Sequence, residues 1–134
     1  MHTNEVVAVE DVMSQAGAAA HGNCVKAVLH QVPSAETSLF SVNPGEVLAA
    51  HLHPETWDLF FGIAGEGRIA YQGGRRRGVA LLKPRSFCAM PPGYQHEVCN
   101  LSPTEPLSFL LIHAPWDGYQ FVRAGTPSSS SGSA

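Results

Sequence analysis

The stretch HLHPETWD, residues 51–58, combines two histidines one position apart with an aspartate. Imidazole nitrogens and carboxylate oxygens are the donors that hold divalent metal ions in many catalytic sites. If the segment is a β-strand, His51 and His53 lie on one face with Cα atoms roughly 6.5–7 Å apart, and their rings can turn toward one ion. A His-x-His pair alone has little specificity, so the alternative is a surface turn. A metal site therefore needs donors from elsewhere in the chain.

Three other residues could complete such a site. Asp58 follows the histidine pair, His96 begins the run HEVCN, and His113 ends the run LSFLLIH. Because strand residues alternate between faces, three histidines and one carboxylate can converge on an apolar interior. Such a donor set leaves coordination positions open for water or substrate, which metal catalysis requires. His113 is predicted as an alternative ligand or an acid/base group, and Tyr94 as a proton donor at the cavity mouth.

The elements that must position these residues are short and closely spaced. From about Val25 onward, apolar or alternating runs are separated by Gly, Pro and Asn, and no amphipathic helix lies between them. This pattern predicts an all-β fold, an antiparallel barrel or jelly roll, and argues against parallel βαβ units. The predicted strands are residues 26–32, 37–42, 46–53, 58–64, 68–72, 79–83, 86–90, 96–100, 107–113 and 119–123.

The two ends of the chain differ from this strand-rich region. An Ala-rich segment at residues 11–20 predicts one short N-terminal helix, with Asp11 near its start. The Ser/Gly-rich residues 124–134 cannot contribute to a core and are predicted to be disordered. Residues 1–123 are therefore expected to form a single domain, a length sufficient for one hydrophobic core.

The charge of the chain limits its partners. Charged residues make up only 14% of the sequence, apolar residues 44%, and the net charge is −3. A net negative chain has no overall attraction for nucleic acid or for an anionic membrane, and no partner of either kind is expected. No apolar run approaches the roughly 20 residues of a membrane span. The sparsely charged surface is compatible with a homodimer, which is also predicted.

The cysteines and the N-terminus predict a cytoplasmic location. Cys24, Cys88 and Cys99 form an odd set without a C-x-x-C pair, which argues against a disulfide framework. Glu5 and Glu10 interrupt the region where a secretion signal would need a basic start and a continuous apolar run.

Two segments together resemble the cupin superfamily. Residues 45–65, GEVLAAHLHPETWDLFFGIAG, have the pattern G-x5-H-x-H-x4-D-x6-G. Residues 91–100, PPGYQHEVCN, have the pattern P-x-G-x2-H-x3-N. They are similar to the first and second cupin motifs, in the expected order and with a suitable stretch between them. The similar region covers about residues 36–115, and it implies a cupin-type antiparallel β-barrel with one metal ion inside.

The resemblance implies specific metal ligands, and the sequence departs from the family pattern at two positions. By position, His51, His53 and His96 would bind the metal, and Asp58 stands where the family usually has glutamate. Aspartate is one methylene shorter, so Asp58 is expected to be a direct ligand, to act through water, or to accept a hydrogen bond from a histidine N–H. Arg85 stands where the second motif normally begins with glycine, which puts the tight turn there in question.

The expected function is that of a metal-dependent enzyme acting on a small, mostly apolar, oxygenated substrate. One divalent ion, namely Fe, Zn, Mn, Ni or Co, would act as a Lewis acid for enolisation, followed by cyclisation, isomerisation or dehydration. The chain is similar to small cupins described as polyketide cyclases, which implies secondary metabolism. Two alternatives remain open, a non-haem iron dioxygenase using the same pocket and a non-catalytic small-molecule-binding module.

Overall fold

The computed structural model describes residues 5–14, 19–21 and 24–124. Within these residues the chain forms short strands and a single turn of 3₁₀ helix, Val12–Ser14. The strands are β1 (Ala19–His21), β2 (Cys24–Val32), β3 (Ala35–Val42), β4 (Val47–Leu52), β5 (Trp57–Ala64), β6 (Gly67–Gly73), β7 (Arg76–Leu82), β8 (Phe87–Met90), β9 (Gln95–Asn100), β10 (Leu107–Ala114) and β11 (Val122–Arg123).

Two antiparallel sheets form a jelly roll. One sheet has the strand order β1-β2-β3-β10-β5-β8 and the other β11-β4-β9-β6-β7. The prediction of an all-β antiparallel barrel is thereby confirmed. Each segment predicted as a strand overlaps one of the strands β2 to β11, although the last predicted segment, residues 119–123, is a strand only at Val122–Arg123.

The predicted N-terminal helix is wrong. Helical structure in the described part of residues 11–20 is limited to Val12–Ser14, and Ala19 and Ala20 belong to β1, which pairs antiparallel with β2. Alanine has a high intrinsic helix propensity, but tertiary pairing often overrides propensity, and here the edge of β2 offers the backbone a sheet partner. No helix among the described residues is long and apolar enough to span a bilayer. The tail predicted to be disordered lies, from residue 125, outside the described residues.

Strand register places three ionisable residues side by side in the first sheet. His113 of β10 is directly opposite Glu36 of β3 and, on its other side, opposite Asp58 of β5. Directly opposed residues of antiparallel strands point to the same face. All three side chains are buried. The first sheet therefore presents a row of two carboxylates and one imidazole to the interior.

The second sheet presents a matching row. His51 of β4 is opposite His96 of β9, and His96 is opposite Tyr71 of β6. On the outer side of His51, β11 places Arg123 directly opposite it. This row faces the Glu36–His113–Asp58 row across the barrel, so the two sheets bring histidines and carboxylates together.

Apolar side chains fill the barrel on one side of these two rows. Its largest fully buried members include Phe60, Phe109, Ile69 and Leu82. The side chain of Asn100 closes this end by bonding backbone carbonyls, including that of Glu105 at 2.8 Å. The polar rows are therefore packed against a dry core, which limits the access of water to them.

Arg85 adopts the backbone conformation that glycine would favour. Its φ is 71°, the single non-glycine residue with positive φ in the described chain. Its N–H donates to the Gly62 carbonyl at 3.0 Å, and a Cβ on Gly62 would collide with the Lys83 carbonyl oxygen. The tight turn that the Arg85 departure put in question is therefore formed, with arginine in the left-handed region.

The Arg85→Gly variant is expected to be more stable. Removing the steric strain of a left-handed arginine should raise the free energy of unfolding by about 0.5–1 kcal/mol, net of the added flexibility of the unfolded chain. Thermal unfolding should show a melting temperature higher by about 2–5 °C. Arg75→Gly, in a turn residue with ordinary φ, is the matched control and should not be stabilised. A lower melting temperature for Arg85→Gly would contradict the strain argument.

Candidate metal centre

Four predicted ligands meet inside the barrel. His51, His53, Asp58 and His96 are each at most 4% exposed, and one ligand atom from each lies within 4.8 Å of the others. The ring centroids of the three histidines are 4.4–5.6 Å apart. Ligand atoms about 2.0–2.2 Å from one ion are at most about 4.4 Å apart, so small side-chain rotations would suffice to close the set around a metal.

Backbone carbonyls fix the orientation of all three rings. The Nδ1 atoms of the histidines donate to carbonyl oxygens: His51 to Ala49 at 2.8 Å, His53 to Gln120 at 2.8 Å and His96 to Tyr94 at 3.0 Å. A carbonyl can only accept, so each Nδ1 carries a proton. In a neutral ring the Nε2 lone pair is then directed into the cluster, as in histidines that bind metals through Nε2.

This arrangement leaves hydrogen-bond acceptors facing one another. The Asp58 Oδ2 atom lies 2.9 Å from His96 Nε2 and 3.2 Å from His53 Nε2. His53 Nε2 and Asp58 Oδ1 are buried without a hydrogen-bond partner. Lone pairs opposed at such distances in a buried site require a shared positive charge, either a proton on a ring nitrogen, which then donates to Asp58, or a metal ion. Unsatisfied buried polar atoms are also rare without a function. The donor set therefore fits a divalent cation.

Asp58 reaches the cluster despite its short side chain. Its Oδ2 lies among the Nε2 atoms, whereas all three Nδ1 positions are already bonded to carbonyls. This geometry favours Asp58 as a direct ligand over an acceptor for an outer N–H. Burial alone raises the pKa of Asp58, but its contacts with His53 and His96 outweigh burial and hold that pKa below the usual range. The carboxylate is therefore ionised, as a metal ligand must be.

His51 is neutral at physiological pH. Burial, reinforced by the nearby His96, lowers the pKa of His51 to about 3. A neutral imidazole with a fixed Nδ1–H is the form that binds a metal through Nε2. Protonation therefore does not compete with the metal for His51 at neutral pH.

His113 lies beside the four ligands, between two carboxylates. Its Nε2 is 3.4 Å from Asp58 Oδ1, and its Nδ1 is 3.4 Å from Glu36 Oε1 and has no hydrogen-bond partner. Burial lowers the pKa of His113, with the Asp58 charge opposing the shift. Glu36 is held in turn by Lys26 at 3.0 Å and Gln31 at 2.7 Å. Sequence reasoning missed Glu36, because its contact with His113 depends on pairing between distant strands.

A C-terminal strap, defined as residues 115–121, covers the cluster with aromatic rings. The Phe121 ring stacks on His51 with centroids 4.6 Å apart, and Tyr119 contacts His53 at 4.7 Å and His113 at 4.8 Å. The strap also supplies the Gln120 carbonyl that holds His53. The sequence offered YQFVR as a strand and gave no signal that its aromatic residues approach the histidines.

A pocket of about 530 Å³ opens from this centre between β2–β3 and β4–β11. Its wall includes His51 and His113 but none of the other predicted site residues. The remaining lining is Lys26, Phe40, Val47, Leu48, Ala49, Leu111, Tyr119, Phe121 and Arg123. The size and mostly apolar lining are typical of small-molecule sites.

Tyr94 lies elsewhere. Its ring packs near Tyr71, with centroids 6.3 Å apart, and lines a separate pocket with Cys88 and Arg76. The contact that Tyr94 makes with the cluster in the described structure is through its backbone carbonyl, which accepts from His96. The structure thus does not bring the Tyr94 hydroxyl to the cavity mouth, where a proton donor would be needed.

Comparison with known families identifies the class of the protein. The model of the cupin domain matches residues 38–113, which include His51, His53, Asp58, His96 and His113 but not Glu36 or Arg123. The chain belongs to the cupin family. No curated protein matches it significantly in sequence.

Solved structures show the same fold. A conserved protein with a double-stranded β-helix domain from Klebsiella pneumoniae is 26% identical, with a TM-score of 0.63, covering 79% of this chain and 90% of that one. The protein TT1209 from Thermus thermophilus is 23% identical, with a TM-score of 0.64, covering 80% and 96%. A variant of oxalate decarboxylase from Bacillus subtilis is 21% identical, with a TM-score of 0.70; the match covers 84% of this chain and 30% of the enzyme.

Proposed function

We propose that the protein is a metal-dependent enzyme that promotes enolisation of a small, mostly apolar, oxygenated substrate, followed by cyclisation, isomerisation or dehydration. The observation that carries the proposal is the set of three Nε2 atoms and one carboxylate, buried and held by carbonyl bonds at each Nδ1. The pocket beside it is lined largely by apolar residues. The bound ion is a single divalent cation, with Fe, Zn, Mn, Ni and Co all compatible with this donor set. Mn(II) centres are named for the oxalate decarboxylase of Bacillus subtilis.

His51, His53, Asp58 and His96 would hold the ion. When bound, it would act as a Lewis acid that polarises a carbonyl or enol oxygen of the substrate. The apolar pocket wall excludes water, which favours reaction at a carbon atom of the substrate over attack by water. The strap holds the His53 ring through Gln120 and positions it before substrate arrives.

His113 is the group that we propose moves the proton. It lines the pocket, and its Nδ1 has no hydrogen-bond partner. Glu36, opposite it on β3, is the positioning residue, because its carboxylate and that of Asp58 lie 3.4 Å from the two ring nitrogens and together fix the ring orientation. In this arrangement His113 takes a proton from the α-carbon of the substrate and returns it at a different atom.

His113→Gln is expected to slow proton abstraction by about 100-fold or more while the metal content stays unchanged, because an amide cannot act as a general base. The measurement is deuterium uptake from solvent at the α-carbons of 2-tetralone, an apolar ketone, followed by NMR. His30→Gln, an exposed histidine on β2, is the control and should exchange as the wild type does. Wild-type exchange in His113→Gln would remove His113 from the mechanism.

The same protein preparations separate this function from its two alternatives. Full activity of Zn(II)-loaded protein without O₂ would support enolisation and exclude a dioxygenase, whereas O₂ consumption dependent on Fe(II) would favour the dioxygenase. If the metal-free protein binds small ligands, and His51→Ala binds them with the same affinity, the result would favour the non-catalytic binding module. Catalysed exchange that requires the metal is the result that the proposal predicts.

The homodimer remains a prediction. Exposed apolar side chains cluster on β7 and β8, the edge strands of the two sheets, where Val79, Leu81 and Phe87 are 57%, 62% and 63% exposed. Burial of such residues in a second copy would remove an apolar edge from water. Light scattering should give the mass of a dimer for the wild type and that of a monomer for Leu81→Glu. Leu101 is exposed on another part of the surface, so Leu101→Glu should remain a dimer. A wild-type monomer at micromolar concentration would refute the dimer.

A further inference from the structure

The pocket wall carries a cation next to the metal centre. Arg123 of β11 is the direct cross-strand partner of His51, and its side chain lines the pocket. Directly opposed residues share a face and have Cβ atoms about 4.5–5.5 Å apart. The Arg123 side chain therefore shares the pocket wall with the metal ligand His51, rather than lying on the outer face of the sheet.

Arg123 is the uncompensated charge of this pocket. No residue in the described part of the chain forms an ion pair with it, and the pocket lining contains no carboxylate. The other cation of the wall, Lys26, is neutralised by Glu36 at 3.0 Å and lies near the Phe40 and Trp116 rings. Since Lys26 and Glu36 cancel, the wall outside the metal site has a net charge of one positive unit, in a protein whose net charge is −3.

The rest of the wall is shaped for a flat apolar body. The Phe121 ring lies nearly parallel to His51, at 18°. Phe40 and Leu111 form the opposite wall, from the first sheet. Aromatic and aliphatic faces bind planar rings through contact area and stacking. Of the two cations along this wall, Arg123 is the one that no carboxylate of the described chain neutralises, so it is the charge available to such a ligand.

We propose that the substrate is a planar aromatic monoanion whose carboxylate pairs with Arg123 while its reacting oxygen faces the metal centre. This inference rests on the proposed function and specifies the substrate class of the same site. One to two strand spacings, about 5–10 Å, separate the two ends of such a ligand, which corresponds to an acid group on one side of a mono- or bicyclic ring and a keto or hydroxyl group on the other. Arg123 then selects the substrate and fixes its orientation.

The test compares an anion with its neutral isostere. Isothermal titration of the Zn(II)-loaded protein with 2-naphthoate and with 2-naphthamide should give at least about tenfold tighter binding of the carboxylate, because a charge-assisted arginine–carboxylate pair is stronger than a neutral contact. Arg123→Gln should bind the two probes about equally, and Arg123→Lys should retain part of the preference for the carboxylate. Arg75→Gln removes the same charge from a distant turn and should keep the wild-type preference.

The outcomes separate this inference from the proposed function. A preference for naphthoate that persists in Arg123→Gln would mean that the ion alone selects the anion, and it would overturn the inference. Equal binding of the two probes by the wild type, or no binding of either up to roughly 10 mM, would overturn it as well. The proposed function fails separately, if the wild type binds no metal or the metal-loaded protein catalyses no α-carbon exchange.

Discussion

His53→Ala is expected to abolish metal binding and turnover. His53 supplies a buried Nε2 that has no hydrogen-bond partner, and its ring is fixed by the Gln120 carbonyl. Alanine removes one ligand atom, and a water molecule in its place is a weaker ligand than imidazole. The metal affinity should fall by well over about 100-fold, which exceeds the typical loss when a hydrogen-bond partner of a ligand is altered. Elemental analysis after dialysis and titration with Zn(II) measure this directly.

The matched control for this variant is His30→Ala. His30 is an exposed histidine on the edge region of β2, away from the cluster. The His30→Ala variant should bind one ion per chain with wild-type affinity. That result would show that the loss of an imidazole outside the cluster does not affect metal binding. Turnover or metal content at wild-type levels in His53→Ala would contradict the assignment of His53 as a ligand.

Asp58→Asn should separate metal affinity from the stability of the metal-free fold. The amide keeps the size of the side chain but removes the negative charge that offsets the cation, so we expect the affinity for Zn(II) to fall about 100-fold or more. In the metal-free protein an asparagine N–H can donate to the His96 Nε2 or His53 Nε2 lone pair, which replaces the contacts that Oδ2 now makes. The metal-free melting temperature should therefore change little.

Thermal unfolding with and without Zn(II) reports both properties. A ligand present at about 1,000 times its dissociation constant stabilises the fold by about 4.1 kcal/mol, and most of this increment should disappear in Asp58→Asn. Asp117→Asn, which changes an exposed aspartate of the strap, should retain the full increment. An unchanged Zn(II)-induced shift in Asp58→Asn would mean that Asp58 is not a ligand.

The sequence predicted the strands and the histidine cluster for physical reasons that are local. Gly, Pro and Asn interrupt the chain wherever a strand ends, and side chains alternate between faces along each strand. Parity alone therefore put His51 and His53 on one face. The motif spacing placed His96 on a neighbouring strand, and the register of His51 opposite His96 agrees with this.

The features that sequence reasoning missed depend on contacts between distant segments. Glu36 reads as an ordinary strand residue, and only the pairing of β3 with β10 places it beside His113. The strap reads as another apolar strand, although its Tyr119 and Phe121 rings pack onto histidines more than sixty positions away. The N-terminal alanines read as helix because their helix propensity is visible in the sequence and the free edge of β2 is not.

The most direct test of the metal centre is anomalous diffraction from crystals of the protein soaked with, or purified with, its divalent metal. We expect one anomalous peak per chain, about 2.0–2.2 Å from the Nε2 atoms of His51, His53 and His96 and in contact with an Asp58 oxygen. A peak at exposed His30 alone, or no peak among the four ligands in protein that carries stoichiometric metal, would contradict it.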